Sequence, residues 1–187
     1  MFSARIYSND FNRIISASKA FVATSFHNKE TLKLIRLEFN SKDSRVTAVA
    51  CSGYMLSVEH AVITDCEESF IAYVNPSIRL PNKLFATFTL EENELLIRCD
   101  NYIFGFNQPK DKDYFDYDKA IPTNEPSFKI GFNANYLLTM LQAAKTSIGN
   151  VFKSPVVLEF TGNETMPVIL RTNQDDIKMV LPVRLRD

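Results

Sequence analysis

The stretch SFKIGFNANYLLTMLQAAK, residues 127–145, decides how the rest of the chain is read. Ser127 to Phe132 reads as a strand, and Asn133 can then cap a helix. Tyr136, Leu137, Met140, Leu141 and Ala144 fall on one face of that helix, with Thr139, Gln142 and Lys145 on the other. Three more strands are predicted, Val156 to Phe160, Met166 to Thr172 and Ile177 to Leu185, with a Gly162-Asn163 turn between the first two. The unit is strand, helix, three strands.

Working outward, the same order precedes it twice. Phe2 to Tyr7 is a strand, Ser8 or Asn9 a cap, and Phe11, Ile14, Ile15, Ser18, Phe21 and Val22 a helical stripe opposite Asn12, Arg13, Ser16, Lys19 and Ala23. Strands follow at Leu32 to Phe39, Arg45 to Cys51 and Tyr54 to Val62, separated by turn chemistry at Asn40 to Ser44 and a tight corner at Ser52-Gly53. The second pass gives a strand at Ser69 to Val74 and a short or broken helix at Asn75 to Phe85, interrupted by Pro76 and Pro81. Strands Ala86 to Leu90, Leu95 to Cys99 and Tyr102 to Phe106 complete that pass. A charged link, Gln108 to Glu125, is the best candidate boundary. The chain thus reads as three copies of about 60 residues. Its helices are too few for a doubly wound sheet, so the class is α+β, antiparallel sheets with helices on one face. The expected division is a domain at 1–120, made of units 1–62 and 63–120, and a half-domain at 121–187. Phe11, Ile14, Ile15, Phe21, Tyr136, Leu137, Met140 and Leu141 are expected to be buried.

Composition narrows the function. Of 187 residues, 45% are hydrophobic and 23% charged, which excludes wholesale disorder. Lys and Arg number 21 against 22 Asp and Glu, so the chain cannot coat nucleic acid indiscriminately, and any DNA contact requires local segregation of charge. With only 5 glycines, neither G-x-G-x-x-G nor G-x-x-x-x-G-K-[ST] is present. Cys51, Cys66 and Cys99 are odd in number and far apart, which fits core packing in a reduced cytoplasm. Neither a signal peptide nor an apolar run of membrane-spanning length is found, so no membrane role is expected. His27 and His60 have no metal-ligand spacing, and no nucleophile motif appears. The carboxylate runs, including Asp111 to Asp118, fall in predicted turns. The expectation is a non-catalytic protein without metal or cofactor.

Several segments resemble one family. Residues 178–185, KMVLPVRL, resemble the Met-Pro-x-Arg-Leu ending of the bacterial DNA polymerase III beta subunit, the sliding clamp, and 130–138, IGFNANYLL, resemble that family's F-N-x-x-Y-L-L helix start. Leu32 to Phe39 resembles its L-N-G-x-x-L-E-F strand, and Ala50 to Leu56 stands where the family has A-T-D-G-H-R-L. Phe115-Asp116-Tyr117 with Ile121-Pro122 resembles the F-P-D-Y…hydrophobic-Pro link. Family chains carry six strand–helix–strand units; three here imply a shortened, diverged relative.

The resemblance implies a polymerase processivity factor that encircles double-stranded DNA without reading sequence. Arg13, Lys19 and Lys145 on the helices, with Arg79 and Lys83 on the broken one, would face DNA. Peptides of a polymerase or other partners would dock on Leu32, Ser52, Tyr54, Met55, Leu56, Phe115, Lys119, Ala120, Val180, Leu181, Pro182, Val183 and Arg184. Twelve units per family ring imply a homo-tetramer, with a dimer as runner-up. Another reading is a clamp-fold module or decoy that binds peptides without encircling DNA, and an unrelated α+β enzyme ranks last.

Overall fold

The structure, a computed structural model, describes residues 1–25, 28–148, 155–160, 162, 165–172 and 176–184. His27, Asn163 and Leu185 of the sequence reading lie outside them. The chain divides into two compact units, Met1–Ile121 and Pro122–Asp187.

In unit 1, β1 (Phe2–Tyr7) leads into α1 (Ser8–Ser18), followed by β2 (Ile35–Asn40), β3 (Arg45–Cys51) and β4 (Leu56–Cys66). A second repeat supplies β5 (Phe70–Val74), β6 (Phe85–Glu91), β7 (Glu94–Cys99) and β8 (Tyr102–Asn107). All eight strands join one antiparallel sheet in the order β5-β2-β3-β4-β1-β6-β7-β8. The two repeats exchange strands: the first strand of each pairs with the second of the other, β1 with β6 and β5 with β2.

The exchange builds one shared core. Phe11, Ile14 and Ile15 of α1 pack into it with Leu37 and Phe39 of β2 and Phe88 of β6. The Phe39 ring stacks on Phe70 at 4.3 Å and tilts against Phe88 at 5.5 Å. Alternation along β2, buried at Ile35, Leu37 and Phe39 and half-buried between, is the period-2 pattern of a sheet with one face inward.

The second repeat carries no helix. The short or broken helix predicted at Asn75 to Phe85 is absent: residues 75–84 form turns and Phe85 begins β6, because Pro76 and Pro81 remove helical donors and clash with the preceding turn. The segment lies alongside α1. Asn12 Nδ2 donates to the Leu80 carbonyl at 2.8 Å while Leu80 N–H donates to Asn12 Oδ1 at 2.9 Å. Lys83 N–H donates to Asn9 Oδ1, and Leu84 N–H to Ser8 Oγ. Ser8 and Asn9 therefore fasten this segment rather than cap α1, whose N-cap residue is Tyr7. Other boundaries shift. Residues 30–33 form a short 3-10 turn before β2, and β4 begins at Leu56 rather than Tyr54. Cys51 and Cys99 are buried, whereas Cys66 is only partly so.

Of the charged link predicted at Gln108 to Glu125, residues 108–121 run as a strap over unit 1. The strap begins at Gln108, whose side-chain amide accepts from Tyr73 N–H at 2.8 Å and donates to the Tyr73 carbonyl at 3.1 Å.

Unit 2 contains α2 (Ala134–Ile148), β9 (Val157–Phe160), β10 (Val168–Arg171) and β11 (Ile177–Val180), the strands forming a sheet in the order β11-β10-β9. Asn133 caps α2 through Oδ1, which accepts from the N–H of Asn135 at 3.0 Å. The helix packs on β10 and β11, around Met140, Ala144, Val168, Leu170 and Val180. Two expectations fail here. Tyr136 and Leu141, predicted as buried, are exposed, because nothing described covers the flank of α2 that they occupy. The strand predicted at 127–132 reduces to a single antiparallel bridge between Gly131 and Val183. No helix among the described residues is long and apolar enough to cross a membrane.

Candidate functional site

The first candidate surface is the helical face of unit 1. α1 and the 75–84 segment lie side by side, held by the hydrogen bonds of Ser8, Asn9 and Asn12 to that segment. Arg13 lies on the first and Lys19 just past its C-terminal end, Arg79 and Lys83 lie on the second, and all four are exposed. The Arg13 guanidinium is already engaged, by Glu59 at 3.3 Å and by the His60 carbonyl of β4. Lys83 sits at φ +63°, which turns the chain back toward β6. Lys145 is exposed on α2, in unit 2. Aligning the helices at Ser8 and Ala134 puts Lys19 and Lys145 at the same place in their repeats.

The second candidate surface surrounds the strap. Tyr73, Arg36 and Val49 stand in register across β5, β2 and β3, and the strap follows that row. Tyr73 Oη donates to the Lys112 carbonyl, Tyr114 Oη to the Val49 carbonyl at 3.3 Å, and the Arg36 guanidinium lies over the Tyr114 ring at 5.2 Å. Tyr117 Oη then donates to Glu38 Oε2 at 2.8 Å. Arg36 Nε sits 2.9 Å from Glu38 Oε1 as an ion pair rather than an aligned hydrogen bond. Burial raises the pKa of both Tyr114 and Tyr117, and the Glu38 carboxylate raises that of Tyr117 further. Asp113 pairs with Lys29, which holds its carboxyl below the usual range, and its carbonyl accepts from Thr31 Oγ1 at 3.1 Å.

The strap thereby ties down the 3-10 turn that carries Leu32. β2 begins and β3 ends at the same end of the sheet, so Leu32 lies at the end where the Ser52 to Leu56 corner turns back into β4. Within the corner, Ser52 N–H donates to the Met55 carbonyl, and Gly53 takes φ +88°, a conformation that suits glycine. Tyr54 is 98% exposed, Met55 is half exposed, and the Ser52 hydroxyl is buried with no partner among the described residues.

Phe115 faces elsewhere. It lines a cavity of about 480 Å³ with Arg36, Glu38, Phe39, Phe70 and Tyr117, toward the other end of β2. Lys119 is exposed and pairs with Asp116 at 2.6 Å; Ala120 follows in the turn that closes on Tyr117. In unit 2, Val180 is part of the core, Pro182 is half-buried, and Leu181, Val183 and Arg184 are exposed. Val183 N–H donates to the Gly131 carbonyl at 2.9 Å. Sequence reasoning missed the fastening by Gln108, Tyr114 and Tyr117 and the cavity beneath it. The aromatic-acidic run 113–117 was the available signal. Among the described residues no group of three or more His, Cys, Asp or Glu could hold a metal ion.

Paired repeats in one antiparallel sheet, with a helix on one face, define an α+β clamp-like class. Comparison with solved structures makes the class specific. A putative DNA polymerase III beta subunit from Eubacterium rectale matches with a TM-score of 0.83 at 15% identity, over 96% of this chain and 50% of that one. The DNA polymerase sliding clamp of Bacillus subtilis matches with 0.79 at 15% identity, over 96% and 49%. The Helicobacter pylori beta clamp bound to a DNA ligase peptide matches with 0.73 at 14% identity, over 97% and 50%. The chain has the fold of the DNA polymerase III beta subunit sliding clamps and spans about half the length of the chains it matches. No protein-family model and no curated protein matches it.

Proposed function

We propose that this chain is a non-catalytic, sliding-clamp-like processivity factor that acts in the cytoplasm. It encircles double-stranded DNA as a closed homo-oligomer and binds peptides of a polymerase or other partners. The observation that carries the reading is the helical face of unit 1, where Arg13, Lys19, Arg79 and Lys83 sit on two adjoining segments of a clamp fold. A ring holds DNA topologically, so a few backbone contacts suffice and a net charge of -1 is no obstacle. Lys145 adds to those contacts from unit 2.

Peptide contacts are assigned to Leu32, Ser52, Tyr54, Met55, Leu56, Lys119 and Ala120 in unit 1, and to Leu181 through Arg184 in unit 2. An exposed aromatic, an adaptable methionine and a buried hydroxyl without a partner among the described residues, all at the 52–55 corner, are the chemistry of a peptide-binding surface. The same corner favours a second reading, a peptide-binding module that does not encircle DNA.

Charge reversal at Arg13, Lys19 and Lys145 tests the first reading. The triple variant should bind duplex DNA at least about tenfold more weakly at low salt, with the difference shrinking as salt rises. Unchanged DNA binding would show that these side chains do not face DNA. A wild-type chain that binds clamp-binding peptides but no duplex would select the second reading.

A further inference from the structure

The open cavity beside the strap, about 480 Å³, is of the size that receives a small organic group. Its lining lies wholly within unit 1. The buried part of that lining is the stacked pair Phe39 and Phe70, whose ring centres stand 4.3 Å apart. Ile71 of β5 and Phe115 of the strap, 43% and 45% exposed, flank the opening. The strap wall is held in place, because Tyr114 Oη donates to the Val49 carbonyl and Tyr117 Oη to Glu38. A site fixed in this way loses little freedom when something enters it.

The charges around the cavity are unevenly engaged. Its charged lining is Arg36, Glu38, Asp116 and Asp118. Arg36, the one cation of that set, is paired with Glu38 at 2.9 Å and seated over the Tyr114 ring at 5.2 Å. Glu38 also accepts from Tyr117, and Asp116 pairs with Lys119. Asp118 has no ion pair among the described residues. An entering anion would therefore meet a surplus of carboxylates and no cation left to receive it, whereas a cation would meet Asp118 beside aromatic rings. The sheet already seats guanidinium groups on rings, Arg5 over Phe85 at 4.6 Å and Arg36 over Tyr114. A guanidinium suits such a place better than an ammonium. It is planar and more weakly hydrated, so it stacks on a ring while its fork of N–H groups reaches a carboxylate.

We propose that this cavity receives an arginine side chain of a partner protein. The guanidinium lies against Phe115 with its N–H groups on Asp118, and the aliphatic stem packs along Ile71 and Phe70. The site is separate from the 52–55 corner, since the two lie toward opposite ends of β2. It goes beyond the proposed function, because it requires neither DNA nor a ring.

The probe is the peptide acetyl-Gly-Arg-Gly-amide, with its citrulline counterpart as the neutral isostere. Each is titrated into the full chain and followed through the backbone amide signals by NMR. The arginine peptide should shift the amides of residues 69–71 and 115–118. It should bind at least about fivefold more tightly than the citrulline peptide, with the gap closing as salt rises. Asp118→Asn and Phe115→Ala alter exposed side chains, and the same spectra report that each variant remains folded. Each should weaken the arginine peptide at least about threefold. Equal affinity for the two peptides, shifts confined to other residues, or either folded variant binding as well as the wild type would overturn the proposal. Arginine-peptide binding by a chain that binds no duplex DNA would leave it standing, so its failure and that of the ring are read separately.

Discussion

Gln108 ends in an amide that offers both a donor and an acceptor, and Tyr73 presents both a backbone N–H and a carbonyl at the edge of β5. The two meet at 2.8 and 3.1 Å, and the same amide also donates to the Phe106 carbonyl at 3.0 Å. One side chain does here what a neighbouring strand does elsewhere in the sheet. Gln108→Ala leaves buried backbone groups without partners, a loss of about 1–3 kcal/mol for each group left unsatisfied. Urea denaturation should show this as a lower midpoint with little change in slope. Nothing near residue 108 in the sequence announces the role, because Tyr73 lies 35 positions away and the interaction uses its backbone, not its side chain. Met140 is the opposite case: its place on the apolar stripe of α2 was legible, and it is buried. Leu141, next to it on the same stripe, was misjudged because periodicity identifies an apolar face without saying whether a partner is present to cover it.

Among the elements, the hairpins were the most legible. β1, β3 and β7 begin and end within a residue of their expected limits, since alternation and turn residues are both local signals. The helix expected at 75–85 lost to its two prolines. The strap was read as a polar link, because its aromatic anchors hold Glu38 and Val49, far away in sequence. It carries a pH dependence of its own. Tyr114 and Tyr117 are neutral in the folded chain, and their pKa values lie above the ordinary 10.0, through burial first and then, for Tyr117, the bond to Glu38. A raised folded pKa stabilises fully below the unfolded value and less as pH climbs through the folded one. The strap's contribution should be intact below pH 10 and fade above it. Tyrosinate absorbance should show a late-titrating class of phenols, and Tyr117→Phe should remove one member of it and make the loss above pH 10 smaller. A titration in which Tyr114 and Tyr117 ionise with the exposed tyrosines would contradict their burial.

At the scale of the molecule, the threefold repeat was visible in the sequence, while the exchange that couples the first two repeats was not. Periodicity reports which residues face inward, and pairing between distant strands leaves no local mark. The strap has a mechanical consequence. Tension on the chain beyond residue 121 reaches unit 1 first at Tyr117, then at Tyr114, the Thr31–Asp113 contact and Gln108, one anchor after another. Loads shared in sequence peel contacts apart singly, whereas strands pulled along their length must break a row together. The strap should therefore let go before the eight-stranded sheet, paying out up to about 30 Å of chain between Tyr117 and Gln108, at roughly 3.3–3.6 Å per residue. Stretched in optical tweezers, the molecule should give a small early extension ahead of the main rupture, and Gln108→Ala should lower the force of its last step. The strap behaves as a fuse, yielding under load so that the sheet keeps its edge.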